Sequence, residues 1–410
     1  MRLRGWWLCG ILLLQTTYLA AHEAQHYFDR GVEAVNQGKS SEAVAQLKRA
    51  LASYPNFVQG HYMLGRAFHD QRDYTQAQQA LQRAIALYPK YAEAHYLLGL
   101  TYYYQQDFRA AEAAVRQAVE AYPRYEEAHA LLAALGERRG ALVAALESYR
   151  QVAKLNPKNV EALFRLGVIL EKLDKPTDAK LIYQQVIAQQ PHHTEALLRL
   201  GILAEQQQPE EAIAAYQAIL TRQPEHTDAL HHLAVLYHNT QQTEQAMATY
   251  TRLLQLDPQR AEAALDLGVL YAQQGNTAAA ERAYKQATAA RPGYAEAHYM
   301  LAVLYDADKR TEQAIEALQQ VLQLQPEHAE AHYTLGAIYV RQQRYQDAVR
   351  EFEAALTVRP DFREAHYSLG VCYEFYLPNV AKALEHYRQF LALGGSDTRV
   401  EQLVEYSKGR

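Results

Sequence analysis

Five residues near the start of the chain have the types and spacing that could do chemistry. In the stretch HEAQH, His22, Glu23 and His26 stand in the order H-E-x-x-H. Two histidines four residues apart share a helix face, where they can bind Zn²⁺ while the glutamate acts as a base on a metal-bound water. A zinc enzyme also needs a third ligand and a folded domain around the metal. The rest of the sequence decides whether they are present.

The HEAQH stretch follows a segment with the layout of an export signal. Arg2 and Arg4 form a positive start, the run GWWLCGILLL is apolar, and QTTYLAA ends in small residues. The apolar run is short for a membrane-spanning helix, which needs about 20 residues. We therefore predict that residues 1–21 are a secretory signal peptide cleaved after Ala21, with an uncleaved N-terminal signal anchor as the alternative. Either prediction makes the protein exported: periplasmic or extracytoplasmic, and membrane-anchored if the segment is kept.

The composition narrows the classes of protein. With 410 residues the chain is longer than most single hydrophobic cores can grow, so several domains or one repeat array are expected. The chain has 41 basic and 46 acidic residues and no basic patch, which argues against a nucleic-acid partner. Cleavage after Ala21 would leave Cys372 as the single cysteine, so no internal disulfide could form.

Prolines recur along the chain with a period of 34 residues, interrupted by one step of 33. They are Pro55, Pro89, Pro123, Pro157, Pro191, Pro224, Pro258, Pro292, Pro326 and Pro360. A fixed period of this size is typical of a solenoid, in which each unit buries its apolar face against its neighbours.

Small and aromatic residues follow the same period. Glycines recur at Gly31, Gly65, Gly99, Gly167, Gly201, Gly268, Gly336 and Gly370. A large residue follows 16 positions after the glycine slot, at Tyr183, Tyr250, Tyr284 and Phe352. Small residues let two helices approach closely, and the aromatic ring fills the space between them. Each period is therefore predicted to be a helix-turn-helix pair.

The stretch HYLLGLTY (95–102), followed by Ala111, Val115 and Pro123, resembles the tetratricopeptide repeat (TPR). Histidine takes the usual tryptophan place at His61, His95, His129, His298, His332 and His366. About eleven repeats begin near residues 24, 58, 92, 126, 160, 194, 227, 261, 295, 329 and 363. The resemblance implies an all-α, right-handed α-solenoid (superhelix) of tandem TPR helix-turn-helix pairs over residues 22–396, with a capping segment at 397–410.

The repeat phase also bears on HEAQH. Ala24 becomes the first position of the first repeat, which places His26 in the opening turn of an ordinary repeat helix. No residues remain for a separate catalytic domain. We therefore predict that the protein is no enzyme and needs no cofactor or metal, with a zinc metalloprotease at residues 22–26 as a remote alternative.

The resemblance implies that the first helix of each pair lines a concave groove. It places mostly tyrosines at repeat position 5, and Tyr103 adds aromatic surface in the third repeat. Tyrosine suits interfaces because it has a large area, few rotors and a polar tip. The partner-binding candidates are Tyr62, Tyr96, Tyr103, Tyr299, Tyr333 and Tyr367. The alternative is that these side chains only pack against the next repeat.

The function predicted from these features is a non-enzymatic protein–protein interaction scaffold. It would bind a protein or peptide in the groove, in envelope assembly, secretion or export machinery; this setting rests on analogy with exported repeat proteins. Glycan binding in a polysaccharide export system is the alternative, because tyrosine faces also stack on sugars. The sequence leaves self-association of the array open.

Overall fold

The computed structural model describes residues 22–408, and within this range the chain is made of helices and short loops without strands. The described part contains 23 α-helices, named α1 to α23, and one π-helical turn. The chain divides between Leu203 and Ala204 into two compact units, unit 1 and unit 2. The predicted signal segment, residues 1–21, lies outside the described residues.

The helices form tandem pairs. The first helices are α1 (22–36), α3 (Val58–Asp70), α5 (Ala92–Tyr104), α7 (Glu126–Arg138), α9 (Val160–Lys172), α11 (Thr194–Ala204), α13 (Thr227–Asn239), α15 (Ala261–Gln273), α17 (Ala295–Ala307), α19 (Ala329–Arg341) and α21 (Arg363–Val371). The second helices are α2 (Ser40–Ser53), α4 (Tyr74–Leu87), α6 (Phe108–Ala121), α8 (Leu142–Leu155), α10 (Pro176–Gln189), α12 (Pro209–Arg222), α14 (Thr243–Leu256), α16 (Thr277–Ala290), α18 (Thr311–Leu324), α20 (Tyr345–Val358) and α22 (Val380–Ala392). Within a unit, α3 packs on α4, α4 on α5, and α5 on α6. The predicted all-α solenoid of helix-turn-helix pairs is confirmed.

In nine of the eleven pairs the turn is short because one residue adopts a left-handed backbone. Glycine takes this place at Gly140 and Gly275, with φ of +75° and +73°. Elsewhere a non-glycine residue does so, as Gln106 does at φ +65°. The residue after it is the N-cap of the second helix, and Asp107 caps α6 by accepting a hydrogen bond from the Ala110 amide at 3.0 Å. Turn and cap together fix where the second helix begins.

The loop between pairs is held by the histidine that replaces the usual tryptophan. In six repeats its Nε2 lies 2.8–3.1 Å from the carbonyl oxygen of the proline six residues earlier. The pairs are His61–Pro55, His95–Pro89, His129–Pro123, His298–Pro292, His332–Pro326 and His366–Pro360. Since a carbonyl only accepts, Nε2 carries the proton in each. The histidine therefore ties the first helix to the loop that precedes it.

In four pairs the glycine of the first helix meets an aromatic residue 16 or 17 positions later on the second helix. A Cβ atom on Gly268 would lie 2.5 Å from the ring of Tyr284, and one on Gly370 would lie 2.4 Å from the ring of Tyr387. Tyr183 and Phe352 fill the same place opposite other glycines and are almost wholly buried. The close packing inferred from the glycine spacing is thus present in the structure.

Replacing Gly268 with alanine is expected to destabilise unit 2 by about 1–3 kcal/mol, because the methyl group would overlap the Tyr284 ring. Gly293→Ala is the matched control, since a Cβ there would meet no heavy atom within 4 Å. We expect that control to change stability by less than about 0.5 kcal/mol. Urea unfolding, with hydrogen exchange over α15 and α16, measures both. Equal losses of stability in the two variants would show that Gly268 and the Tyr284 ring are not packed this closely in solution.

The C-terminal end departs from the regular repeat. The extra residue of the eleventh turn is accommodated by the π-helical turn Cys372–Tyr376, since a π turn holds more residues than an α turn. Gly394, at φ +80°, ends the last pair. The helix α23 (Thr398–Lys408) then packs on α22 and buries Val400 and Val404. An end helix of this kind covers apolar surface that a further repeat would otherwise bury.

Candidate functional site

The six candidate tyrosines all lie on first helices and are half-buried. Five of them, at repeat position 5, contact an aromatic ring, which lies in the loop after the helix pair in four cases and on α22 of the same pair for Tyr367. The ring centroids are 5.0 Å apart for Tyr62–Tyr91 and Tyr96–Tyr125, 4.9 Å for Tyr299–His328 and Tyr333–Phe362, and 5.1 Å for Tyr367–Phe390. One side of each ring is therefore covered by another aromatic side chain, which leaves only part of the ring for a partner. Burial also raises the pKa of Tyr62 and Tyr96, so their hydroxyls remain neutral donors.

Tyr103 is not at repeat position 5; it lines an open cavity of about 630 Å³ within unit 1. The first helices α5, α7 and α9 supply most of its lining, including Tyr103, Ala134, Arg138 and Arg165. The volume falls in the range of sites that hold a small ligand or several peptide side chains. The first-helix side of unit 1 thus contains an open cavity large enough to hold peptide side chains.

Most of the charged side chains around this cavity are paired, and they carry both signs. Glu137 lies 3.4 Å from Lys172 Nζ and accepts a hydrogen bond from the Tyr149 hydroxyl at 3.3 Å. Arg165 donates to Glu161 at 2.8 Å, and both side chains remain largely exposed. Because exposed pairs are weak, a ligand carboxylate or ammonium group can displace one partner at little cost. The cavity is therefore suited to a polar peptide with a large side chain.

A second open cavity, of about 500 Å³, lies at the end of unit 2. It brings together two of the predicted residues, Tyr333 and Tyr367, with Phe390, Arg363 and Asp397. The Tyr367 hydroxyl donates to Asp397 Oδ2 at 3.3 Å, while Oδ1 of Asp397 accepts from the Val400 amide at 2.9 Å. The remaining candidates, Tyr62, Tyr96 and Tyr299, line neither cavity.

A polar contact recurs inside the helix pairs that was not predicted from the sequence. A tyrosine of the second helix donates its hydroxyl to a glutamate near the end of the first. The pairs are Tyr149–Glu137, Tyr183–Glu171, Tyr216–Glu205 and Tyr387–Glu374. The signal was available, because these glutamates and tyrosines recur at close to 34-residue steps.

A basic side chain from the next first helix completes several of these contacts. Arg199 lies 3.1 Å from Glu171 in unit 1, and His232 Nδ1 lies 2.9 Å from Glu205 in unit 2. Burial alone would raise the pKa of Glu205, but the hydrogen bonds from His232 and Tyr216 outweigh it and lower that pKa. Glu205 therefore stays ionised and engaged with both partners, so it acts as a structural anchor and not as a free acid or base.

Two histidines meet between α21 and α22. His366 Nδ1 and His386 Nδ1 are 3.1 Å apart, and His366 Nε2 donates to Pro360. Burial and the neighbouring His366 lower the pKa of His386; Lys382 acts in the same direction, and Glu385 and Glu353 oppose it. A lowered pKa means that the folded state binds fewer protons than the unfolded chain.

The His386 contribution to stability is therefore complete above the ordinary histidine pKa of about 6.5 and is lost as the pH falls below it. We expect faster hydrogen exchange in α21 and α22 at pH 5.5 than at pH 7.5, after correction for intrinsic rates. The variant His386→Gln should remove most of that difference. An unchanged difference in the variant would show that other groups cause it. His332 should show the opposite pH dependence, because its hydrogen bond with Glu351 raises its pKa. It lies on α19, outside α21 and α22.

The HEAQH residues form no site in the described part of the chain. His22, Glu23 and His26 are exposed on α1. Within residues 22–408 no three His, Cys, Asp or Glu side chains are grouped so that they could hold a metal ion. His231 and His232 are neighbours with ring centroids 5.8 Å apart, but they too belong to no such group.

Comparison with known families decides the identity of the repeats. One TPR family model matches residues 28–92 and 265–329, and a second matches residues 68–135, 138–200, 203–265 and 307–372. The second alone covers more than half of the chain. The chain belongs to the tetratricopeptide repeat family. As a TPR protein it is a protein-interaction scaffold, and proteins built from this repeat are typically non-enzymatic.

Solved structures similar to this TPR protein include MamA, with 25% identity over 40% of this chain and 94% of that chain and a TM-score of 0.38. YrrB, described as a TPR protein with an unusual peptide-binding site, shares 20% identity over 45% of this chain and 96% of its own, at a TM-score of 0.42. The Cut9–Hcn1 hetero-tetramer of the APC/C matches 95% of this chain and 97% of that chain, with 16% identity and a TM-score of 0.41. No curated protein matches the sequence.

Among residues 22–408, none of the helices is both long enough and apolar enough to cross a membrane. The predicted signal peptide or anchor falls on residues 1–21 and is outside that range.

Proposed function

We propose that this TPR protein is an exported adaptor that holds a peptide segment of a partner protein against its first helices. The observation that carries the proposal is the open cavity of about 630 Å³ in unit 1, where Tyr103 and paired charges of both signs face the same space. An aromatic ring beside an arginine is the composition that dominates binding energy at protein interfaces. The cavity at the end of unit 2, with Tyr333 and Tyr367, is a second contact of the same kind.

The cellular setting belongs to the same proposal. The segment before residue 22 has the charge and hydropathy layout of an export signal. We infer that the repeats function outside the cytoplasm, in envelope assembly, secretion or export machinery. N-terminal sequencing of protein purified from the host's fractions tests this inference. A mature start at His22 in an extracytoplasmic fraction supports it, whereas an intact Met1 in the soluble cytoplasm contradicts it.

Capture of partners from the native host tests the adaptor function. The groove variant Tyr103→Ala/Arg165→Ala removes two side chains that line the cavity. The control variant Arg150→Ala/Lys154→Ala removes two exposed cations from α8 that do not line it. Circular dichroism must first show that both variants keep the wild-type helix content.

We expect cross-linked capture from envelope fractions to recover a specific protein with the wild type and the control, but not with the groove variant. Equal recovery by all three proteins would move the interface away from this cavity. Recovery of polysaccharide alone, lost in the groove variant, would replace the peptide by a glycan.

A further inference from the structure

Three loops between repeats in unit 1 share one sequence pattern, YPNF (54–57), YPKY (88–91) and YPRY (122–125). The first tyrosine of each directly follows a second helix as its C-cap residue, with φ of −138°, −138° and −137°. The backbone therefore presents the three side chains in the same way, once per repeat. Tyr54, Tyr88 and Tyr122 are called the tyrosine row.

Each ring of the tyrosine row is supported on one side and open on the other. Tyr54, Tyr88 and Tyr122 are 49%, 52% and 51% exposed. Their ring centroids lie 5.9, 6.0 and 6.0 Å from those of the aromatic residue three positions later, which are Phe57, Tyr91 and Tyr125. Those rings in turn pack on Phe28, Tyr62 and Tyr96 at 4.7, 5.0 and 5.0 Å.

Hydrogen bonds fix the conformation of the loops that carry the tyrosine row. The carbonyl of each row tyrosine accepts the amide of the aromatic three positions later, at 3.2, 3.1 and 3.1 Å. The proline in between is tied to the histidine of the next helix, as described above. Because the rings are already fixed, a ligand that stacks on them loses little additional conformational entropy on binding.

The fold does not require aromatic residues at these places. The equivalent residues in the next two repeats of unit 1 are Asn156 and Gln190, and α8 and α10 end there in the same manner. Within residues 22–408, the structure shows no hydrogen-bond partner for the hydroxyls of the three row tyrosines. The row is thus a surface feature of the first three repeats, with stacking faces and free donors.

The spacing of the row indicates which ligand fits. The first helices α3 and α5 that follow two of its tyrosines contact each other, and contacting helices lie about 8–10 Å apart. A polyproline II helix advances about 3.1 Å per residue with three residues per turn, which gives about 9 Å per turn. Residues three positions apart in such a peptide would therefore match the step from Tyr54 to Tyr88, and the same repeat period continues to Tyr122.

The side chains beside the row add a charge preference. Lys90 and Arg124 each follow the proline of their loop, and both are exposed. A glycan could also stack on the rings, but it would be held by a ring of hydrogen-bonding amides and carboxylates, whereas two cations flank this row. We propose that the tyrosine row binds a proline-rich segment of a partner protein in the polyproline II conformation, with acidic residues set between the prolines.

A synthetic peptide of four Pro-Pro-Glu triplets is the probe, and four Gly-Gly-Glu triplets of equal length and charge are its control. Tyr54→Asn/Tyr88→Gln/Tyr122→Asn is the row variant; it uses the residue types that repeats 4 and 5 carry at this place, so the fold should be kept. Fluorescence anisotropy with a labelled peptide measures binding. We expect the wild type to bind the Pro-Pro-Glu peptide at least tenfold more tightly than the row variant does, and more tightly than it binds the Gly-Gly-Glu peptide.

The groove variant Tyr103→Ala/Arg165→Ala separates this proposal from the proposed function. It should bind the Pro-Pro-Glu peptide as the wild type does, because neither residue belongs to the row. Equal affinity of wild type and row variant would overturn the proposal, as would equal affinity for the two peptides. Binding of a cellulose or chitin hexasaccharide, lost in the row variant, with no binding of the Pro-Pro-Glu peptide, would assign the row to glycans instead.

Discussion

Replacing Tyr250 with alanine is expected to destabilise unit 2 by about 3–5 kcal/mol, the cost of removing a large buried aromatic ring. Tyr250 has no exposed surface, and its hydroxyl donates to Asp266 Oδ2 at 3.0 Å. The side chain at this position of the second helix sets the distance between the two helices of a pair. The loss should spread to the neighbouring pairs, since each repeat depends on the next one for burial.

The variant Tyr250→Phe separates the ring from the hydroxyl. It keeps the buried ring and removes one hydrogen bond to a partly exposed carboxylate, so a cost of about 1 kcal/mol is expected. Because a repeat array does not unfold in a single two-state step, hydrogen exchange over α13 to α16 is the appropriate measurement. Similar losses in the two variants would show that the hydroxyl, and not the ring, provides the stability.

Loss of the cavity side chains is expected to lower affinity for the captured partner by about 2–4 kcal/mol, or roughly 30- to 1,000-fold. The relevant change is the groove variant Tyr103→Ala/Arg165→Ala. Arg165 is largely exposed and paired with an exposed glutamate, so its removal should cost the fold little. Isothermal titration with the purified partner measures the loss. The control Arg150→Ala/Lys154→Ala should change the affinity by less than about 0.5 kcal/mol.

The structure also shows why alanine at the position-5 tyrosines would be a poor test of binding. Tyr299 and Tyr333 each contact a ring in the loop that follows their own helix pair, and Tyr367 contacts Phe390 on the second helix of its own pair. Truncating them would remove packing between successive elements together with any contact to a partner. Tyr103 and Arg165 give a cleaner separation of the two effects.

Much of the fold could be predicted because the period acts on every repeat at once. The glycine spacing predicted the close approach that Gly268 and Gly370 show against their aromatic partners. The proline spacing located the loops. A match to a single repeat would have left the helix boundaries uncertain. Because the same residue types recur in many repeats, the boundaries can be assigned even where one repeat departs from the pattern.

The sites were harder to predict. The position of a residue in the repeat shows which face of the helix it lies on, but it does not show how deeply its side chain is buried. Phase placed Tyr62 and Tyr333 at the same position, yet only Tyr333 lines a cavity. The contact between the Tyr183 hydroxyl and Glu171 joins residues 12 positions apart on two different helices, so no local pattern shows it. The stacking of Tyr88 on Tyr91 depends on the loop conformation, which the sequence alone does not give.

Site-specific photo-crosslinking in the native host tests the central claim most directly, namely that a partner protein lies against the first-helix cavity of unit 1. A benzophenone side chain is placed at residue 103 or 134, which line the cavity, and in parallel at residue 150 or 154 on α8. We predict that one and the same protein is crosslinked from positions 103 and 134 and is absent from the adducts of positions 150 and 154. Crosslinks from α8 with none from the cavity would contradict the proposed mode of binding.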